Sequence, residues 1–429
     1  MKDFLKQYLC NKKVLILGFG REGQSTYNFL QKIGSYSQLA IADMKPVNIP
    51  LSDNVLVFFG EQYQDMLDEY DIVFKSPGVA LNKQISEYKC CITSQIELFL
   101  KCYSKQTVGI TGTKGKSTTS SLLYHILKNS GLECVFAGNI GLPVFEIVDD
   151  IKKDTIIVLE LSCHQLEHIS VSPTIAVLLN LFEDHLDRYG TFDVYSNTKK
   201  NIYRYQKADD ILFCNPQHIP ERSECVSRIQ GIQPENIPGI FDIKTQLKGS
   251  HNYYNIAVVY EICKCLNVDE KKIIDGISTF KPLAHRLEYV GKVNGVEFYD
   301  DSISTTVEST ISAIKSINNI GTVLIGGMER GIDYSQLVDF LLNHKIDNVV
   351  FMYDSGKRIY DKIISVCSDK QATTNFVYMR DLEASVKYAR QVTLPGKACV
   401  LSPAAASYGV FKNFEERGDK FQELMKADI

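Results

Sequence analysis

Between Thr107 and Thr119 the chain reads Thr-Val-Gly-Ile-Thr-Gly-Thr-Lys-Gly-Lys-Ser-Thr-Thr, and no other stretch restricts the fold as strongly. Val108 and Ile110 supply a short β-favouring run, and a helical pattern resumes at about Thr118 through Leu122, Leu123, Ile126 and Leu127. Strand, Gly-rich loop and helix in that order aim bare backbone N–H groups at an anion. Gly112 and Gly115 permit the tight backbone, Lys116 adds a mobile positive charge, and Ser117 offers a hydroxyl to a metal ion. Ile110 stands where the general phosphate-loop pattern has its first glycine, so this loop is a variant, Gly112-x-x-Gly115-Lys116-Ser117. A Gly-rich turn alone is often only a turn. With a strand before it and a helix after it, phosphate binding through Gly112, Thr113, Lys114, Gly115, Lys116, Ser117 and Thr118 is the expectation.

A chain of 429 residues is too long for one core, so two or three domains are expected. A net charge of −4 with no basic block excludes a nucleic-acid footprint. No apolar run approaches a membrane span, and Met1-Lys-Asp-Phe-Leu-Lys lacks the features of a signal peptide. The 12 cysteines are scattered without zinc-site spacing and read as reduced core residues of a cytoplasmic protein.

The chain alternates strands and helices throughout, which predicts an α/β fold with parallel sheets. Lys13–Leu17 runs into Gly18-x-Gly20-x-x-Gly23, and Asp43 ends the next strand, in the form of a dinucleotide fingerprint. Ser76, Pro77 and Gly78 make a rigid turn at another strand's C-terminal end, where open α/β sheets bind ligands. A linking helix, Ser94–Cys102, leads to the phosphate loop. Beyond it, Gly138-Asn139-Ile140-Gly141 is a polar turn. Thr155–Ser162 is a buried strand carrying Glu160, and Thr174–Asn180 is another, followed by His185. Strand ends meet at one sheet edge, so Glu160 and His185 can both face the loop and hold a divalent cation. Alone, Glu160 is as readily a hydrogen-bonded strand-end acid, and His185 a surface or capping residue. On pattern alone Lys199 and Lys200, in a helix over Tyr195–Tyr203, are solvated lysines. Asn252 and Asn255, at i and i+3, share a helix face and suit a base edge. Near His285 the pattern resets: a hairpin brackets Asn294-Gly295, and strands and helices alternate again with turns at Asp301, Gly326-Gly327 and Ser402-Pro403. The predicted division is 1–94, 95–283 and 284–429.

The ordered motifs Gly112–Thr119, Gly138–Gly141, Glu160–Glu167, Asn180–Arg188, His251–Asn255, His285-Arg286 and Leu401–Gly418 together resemble the Mur ligases, and most closely those adding D-glutamate. The resemblance covers all three units. It implies a Rossmann-like UDP-binding domain, a central P-loop ATPase-like domain and a Rossmann-like C-terminal domain. It implies ATP-dependent ligation of D-glutamate to UDP-N-acetylmuramoyl-L-alanine through an acyl phosphate, in cytoplasmic peptidoglycan precursor synthesis, by a monomer. The cofactors would be Mg²⁺, as two ions, and a carbamylated Lys199. By the same resemblance Lys116, Glu160, His185 and Lys199 are catalytic, and Ser117, Glu160, His185 and carbamylated Lys199 hold metal. Asn252, Asn255, Arg286 and Asp301 reach ATP. Gly20, Arg21, Glu22, Asp43, Ser76, Pro77, Gly78, Asn139, Ser162 and Gln165 take the UDP substrate, and Thr305, Arg330, Ser407 and Phe414 the amino acid. The units would close around one ATP.

The chain also departs from the family. Many members carry Asp-Ser-Lys-Ala-Thr-Asn where this chain has Asp301-Ser-Ile-Ser-Thr-Thr306, so Ile303 replaces a lysine and a charge-assisted bond of about 1.5–3 kcal/mol is lost. Arg330 is a candidate replacement, and addition of L-glutamate or another amino acid is the nearest alternative. Cys163-His164 replaces an expected Ser-aromatic pair, as a packing variant or a substrate contact. Two readings from other classes compete. A nicotinamide-dependent oxidoreductase would explain Gly18–Gly23 and Asp43 but not the phosphate loop. A non-catalytic nucleotide binder would have no need of Lys116 and Lys199 together with Glu160 and His185.

Overall fold

Apolar, β-branched runs bounded by glycines and polar turns form three sheets in the computed structural model, which describes residues 1–47, 55–247, 249–367 and 374–427. The first sheet holds β1 (Lys13–Leu17), β2 (Gln38–Asp43), β3 (Val55–Phe59), β4 (Ile72–Lys75) and β5 (Cys91–Thr93), in the order β3-β2-β1-β4-β5. All its pairings are parallel. The second holds β6 (Thr107–Thr111), β7 (Cys134–Gly138), β8 (Ile156–Glu160), β9 (Ile175–Leu178), β10 (Ile211–Cys214) and β11 (Arg228–Gly231), in the order β11-β10-β9-β6-β8-β7, again parallel. Strand β6 is buried along its length, as a strand covered by helices on both faces must be. Its neighbours β8 and β9 end at Glu160 and just short of Asn180, which brings both residues to the edge where the phosphate loop leaves β6.

The third sheet holds β12 (Glu288–Val293), β13 (Val296–Asp300), β14 (Ile320–Ile325), β15 (Asn348–Met352), β16 (Asn375–Met379) and β17 (Ala398–Leu401), in the order β12-β13-β17-β14-β15-β16. Only β12 and β13 pair antiparallel, joined by Asn294 and Gly295 with φ of 50° and 82°, the left-handed pair that a tight hairpin turn needs. By packing the chain forms two compact units: 1–244 with 253–280, holding the first two sheets, and 245–252 with 281–429, holding the third.

Some element bounds differ from expectation. The helix after the phosphate loop is Lys116–Asn129, starting before Thr118, because left-handed Gly115 is its N-cap and polar Lys116 and Ser117 form its first turn. Strand β8 is shorter than Thr155–Ser162, because Ser162 leaves it to cap the next helix by accepting from the Gln165 N–H. The linking helix is Gln95–Tyr103, with Ser94 as its N-cap. The helix expected over Tyr195–Tyr203 is two, Phe192–Lys199 and Asn201–Arg204, parted where Lys200 ends one and starts the next. Among the described residues no helix is long and apolar enough to cross a membrane.

Candidate active site

The phosphate loop is held open from behind by Asn180. Its side-chain oxygen accepts the Lys114 N–H at 2.8 Å and its amide donates to the Lys114 carbonyl at 2.9 Å, while its carbonyl takes the Thr113 N–H at 2.9 Å. Gly112 and Gly115 have φ of 156° and 87°. A Cβ on Gly115 would stand 2.6 Å from Asn255 Oδ1, so glycine here both bends the loop and lets the helix Ser250–Cys265 approach it. Asn252 and Asn255 both lie on that helix and are buried. Lys116 Nζ donates to the carbonyls of Gly112 and Thr113, curling over the loop.

Lys199 arrives at the same place from the end of the helix Phe192–Lys199. Its Nζ donates to the Gly112 carbonyl at 3.0 Å, and only 1% of the residue is exposed. Burial, seconded by the Lys116 charge, pulls its pKa down to about 7. The solvated-lysine reading is thus wrong for Lys199: the position that looks like a helix surface turns inward under the loop. Its ammonium lies 5.0 Å from the ring centre of Tyr195, whose hydroxyl meets Thr113 Oγ1 at 3.1 Å. Tyr195 and Asn180 were not assigned roles from the sequence; the spacing of Tyr195 one helical turn before Lys199 was the available signal.

Glu160 is fully buried at the end of β8. Asn139 Nδ2 donates to its Oε1 at 2.8 Å and Ser120 Oγ to its Oε2 at 3.4 Å. These donors are neutral, so the carboxylate's charge and remaining lone pairs suit a divalent cation. Its backbone carbonyl takes the Asn139 N–H, and a Cβ on Gly138 would come within 2.1 Å of that oxygen, which explains the glycine. His185 sits in a left-handed conformation, φ 54°, at the N-cap of the helix Leu186–Tyr189. Its half-exposed ring packs edge-on to His164 at 5.1 Å and lies 6.2 Å from Tyr195. His164 stacks on Tyr189, and burial with the neighbouring His185 pushes its pKa down to about 4.

Of the residues expected to take the UDP substrate, Gly20, Arg21, Glu22, Asp43 and Ser76–Gly78 end or follow strands of the first sheet, and Asn139, Ser162 and Gln165 follow β7 and β8 of the second. Arg21 Nη2 reaches across to the carbonyl of Asn139 at 3.1 Å. Gln165 Nε2 donates to Glu22 Oε2 at 3.3 Å, and burial raises the Glu22 pKa to about 7. Ser76 Oγ donates to the Gly18 carbonyl, fastening the turn to the Gly-rich loop. The oxygens of Asp43 accept the N–H groups of Phe19 and Lys45 at 2.7 and 2.8 Å, so this acid first of all braces the loop. A cavity of about 370 Å³ opens beside Asp43 and Gly78, with Tyr63, Gln64 and Val79 in its wall. Lys75, Glu167 and Arg188, which were given no role from the sequence, form a partly buried ion triad between the two sheets: Lys75–Glu167 2.8 Å and Arg188–Glu167 3.2 Å.

In the third sheet Asp301 accepts from Leu287 N–H and Ser402 Oγ, and burial raises its pKa to about 6. Arg286 adjoins His285, whose Nδ1 meets Asp300 at 2.7 Å. Arg417 is fully buried and donates to Ser302 Oγ, the Ser302 carbonyl and the Ala405 carbonyl. Ser407 is buried, Phe414 and Thr305 are half-buried, and Arg330 is exposed. Ile303 is half-buried and its N–H donates to the His285 carbonyl, so that position brings no charge.

Two family descriptions match the chain: Mur ligase middle domain over residues 110–230, and Mur ligase MurD-like, N-terminal domain over 12–91. A protein of Clostridium botulinum strain Loch Maree named UDP-N-acetylmuramoylalanine--D-glutamate ligase is 31% identical over 99% of this chain and 98% of its own length. One of the same name from Clostridium kluyveri is 30% identical over 99% and 98%. Among solved structures, MurF ligase from Thermotoga maritima in complex with ADP has a TM-score of 0.59 at 18% identity, covering 98% of this chain and 95% of that one. UDP-N-acetylmuramate-alanine ligase MurC from the same organism has a TM-score of 0.54 at 17%, covering 96% and 99%. At such identities the structural likeness speaks for the fold.

Proposed function

The chain belongs to the Mur ligase family, and we propose that it joins D-glutamate to UDP-N-acetylmuramoyl-L-alanine with ATP, as the name of its clostridial relatives describes. The observation that carries the mechanism is the convergence on one edge of the second sheet of the phosphate loop, the buried Glu160 and the buried Lys199. The substrate's terminal carboxylate oxygen attacks the γ-phosphorus and ADP leaves. The amine nitrogen then attacks the acyl carbon, phosphate leaves, and a proton is lost as the peptide bond forms. Phosphoryl transfer demands positioning and charge neutralisation more than covalent help.

The loop N–H groups and Lys116 hold the transferring phosphate, and Asn180 keeps the loop shaped for it. Ser117, Glu160 and His185 are the side chains that would hold Mg²⁺, which when bound neutralises charge building on the phosphoryl oxygens. With its pKa near 7, Lys199 is substantially neutral at working pH, and a neutral amine adds CO₂ to give a carbamate and a proton. That turns a buried neutral amine into an anion, which the Lys116 charge then favours. Asn252, Asn255, Arg286 and Asp301 serve ATP, while Arg21, Glu22, Ser76–Gly78 and the cavity beside Asp43 serve the nucleotide-linked acid. Thr305, Arg330, Ser407 and Phe414 serve the incoming amino acid, with Arg330 the cation for its carboxylate. The uncharged Ile303 favours one second reading, in which a different amino acid is taken. Phosphate release from ATP with UDP-N-acetylmuramoyl-L-alanine, offering D-glutamate, L-glutamate, L-lysine and meso-diaminopimelate in turn, decides between them. Release with D-glutamate alone is expected; release only with another amino acid overturns the D-glutamate assignment, and none with any overturns the ligase reading.

A further inference from the structure

Arg188 belongs to neither the phosphate loop nor the substrate turn, yet it touches the segments of both sheets that matter most. Its Nη2 donates to the Val79 carbonyl at 2.9 Å and its Nη1 to the Gly78 carbonyl at 3.5 Å, directly after Ser76 and Pro77. The same Nη2 meets both Glu167 oxygens, at 3.3 and 3.2 Å, and Glu167 also pairs with Lys75 at the end of β4. In the backbone, the N–H groups of Arg188 and Tyr189 both donate to the His185 carbonyl at 3.0 Å. His185 is a non-glycine residue held at φ 54°, a conformation that costs about 1 kcal/mol and persists only when its surroundings impose it.

We propose that Arg188 is a positioning residue that couples the Gly78–Val79 substrate turn to the backbone of His185, so that a ligand settling on the turn orders the His185 segment. The fork supplies the means. Nη2 donates to the Val79 carbonyl and the Glu167 carboxylate while Nη1 reaches the Gly78 carbonyl, a two-nitrogen spread that the single nitrogen of a lysine ammonium does not reproduce. Glu167 holds the fork in place, and Lys75 keeps Glu167 charged and fixed. The inference rests on the reading of Ser76–Gly78 as part of the site for the nucleotide-linked acid.

The test uses the full-length protein, UDP-N-acetylmuramoyl-L-alanine as probe, and hydrogen exchange of the peptide spanning 183–190. In the wild type the probe slows exchange there. In Arg188→Lys the slowing is lost and the probe binds about tenfold more weakly, with thermal midpoint and affinity for a non-hydrolysable ATP analogue unchanged. Glu167→Gln, which keeps an acceptor for the fork, retains part of the slowing. Wild-type binding without slowed exchange overturns the inference alone, as does an Arg188→Lys protein with wild-type slowing. A parallel loss of thermal midpoint and ATP-analogue affinity reduces Arg188 to a structural residue. No binding of the probe by wild type overturns the substrate-site reading and the coupling with it.

Discussion

After β1, the loop Gly18–Gly23 folds back on itself so closely that a Cβ on Gly23 would lie 2.0 Å from the Gly18 carbonyl. After β6, the loop Gly112–Gly115 approaches not itself but side chains: Leu179 on one side and Asn255 on the other. The first is braced by an acid, Asp43, and a hydroxyl, Ser76. The second is braced by an amide, Asn180, and crowded by two lysine amines, Lys116 and Lys199, which both donate to the Gly112 carbonyl. One strand–loop–helix plan thus serves two tasks. Where glycines pack on backbone and an acid closes the loop, the turn is a rigid shelf, which the proposed function assigns to the nucleotide-linked acid. Where a half-buried and a buried lysine crowd the loop, burial and their mutual repulsion disfavour the charged form, which on the proposed function a polyphosphate would favour again.

The sharpest way to break this contrast is Lys116→Ala. Phosphate release should fall about 10³-fold in kcat with the protein folded. Arg21→Ala, its counterpart in the first loop, should chiefly raise KM for the nucleotide-linked acid. Equal effects on kcat would erase the division of labour. Lys199→Ala should lower kcat about 10²-fold, with part of it restored by acetate supplying the missing carboxylate. Full activity without acetate removes the carbamate role. Gly23→Ala should destabilise the first unit by about 2 kcal/mol, read in urea unfolding, because the new methyl meets a backbone carbonyl. Gly20→Ala, which meets nothing within 4 Å, should leave unfolding unchanged and weaken only substrate binding.

A pH dependence tests the charge held at the second loop. Lys199 has a folded pKa near 7, below its unfolded value of about 10.4, so the unfolded chain binds more protons between those limits and stability rises with pH there. In CO₂-free buffer, Lys199→Met should therefore raise the thermal midpoint at pH 6.5 and less so at pH 9.5, the difference being about 6 °C from a linkage of about 3 kcal/mol. A constant difference across that range means the lysine is not held against its charge.

The phosphate loop was legible because positive φ at Gly112 and Gly115 leaves few residue choices, and because strand ends of a parallel sheet converge, bringing Glu160 to it. The hairpin at Asn294-Gly295 was legible for the same backbone reason. What stayed hidden depends on which distant side chain meets which. The burial of Lys199 under the loop, Arg188 reaching the carbonyls of Gly78 and Val79, and Arg417 filling the space beside Ser302 all join positions far apart in sequence. Local periodicity reports a face, not the partner that covers it. Asp43 shows the converse: a fingerprint residue found at its expected place, with its oxygens engaged by the backbone.

The position of β17 has a consequence for how the protein is made. In the first sheet β1, the earliest strand synthesised, lies between β2 and β4, and in the second β6 likewise lies between β8 and β9, so later strands add outward to a centre already present. The third sheet is assembled in the reverse sense. Strand β17, residues 398–401, is the last made and sits between β13 and β14. Until it leaves the ribosome each of those two strands has one open edge, β13 pairing only with β12 and β14 only with β15. Even then Arg417, on the closing helix Phe414–Lys426, must still arrive to take the carbonyls of Ser302 and Ala405. A nascent chain arrested before residue 398 therefore exposes two unpaired, apolar strand edges, the surface that chaperones bind and that aggregates grow from.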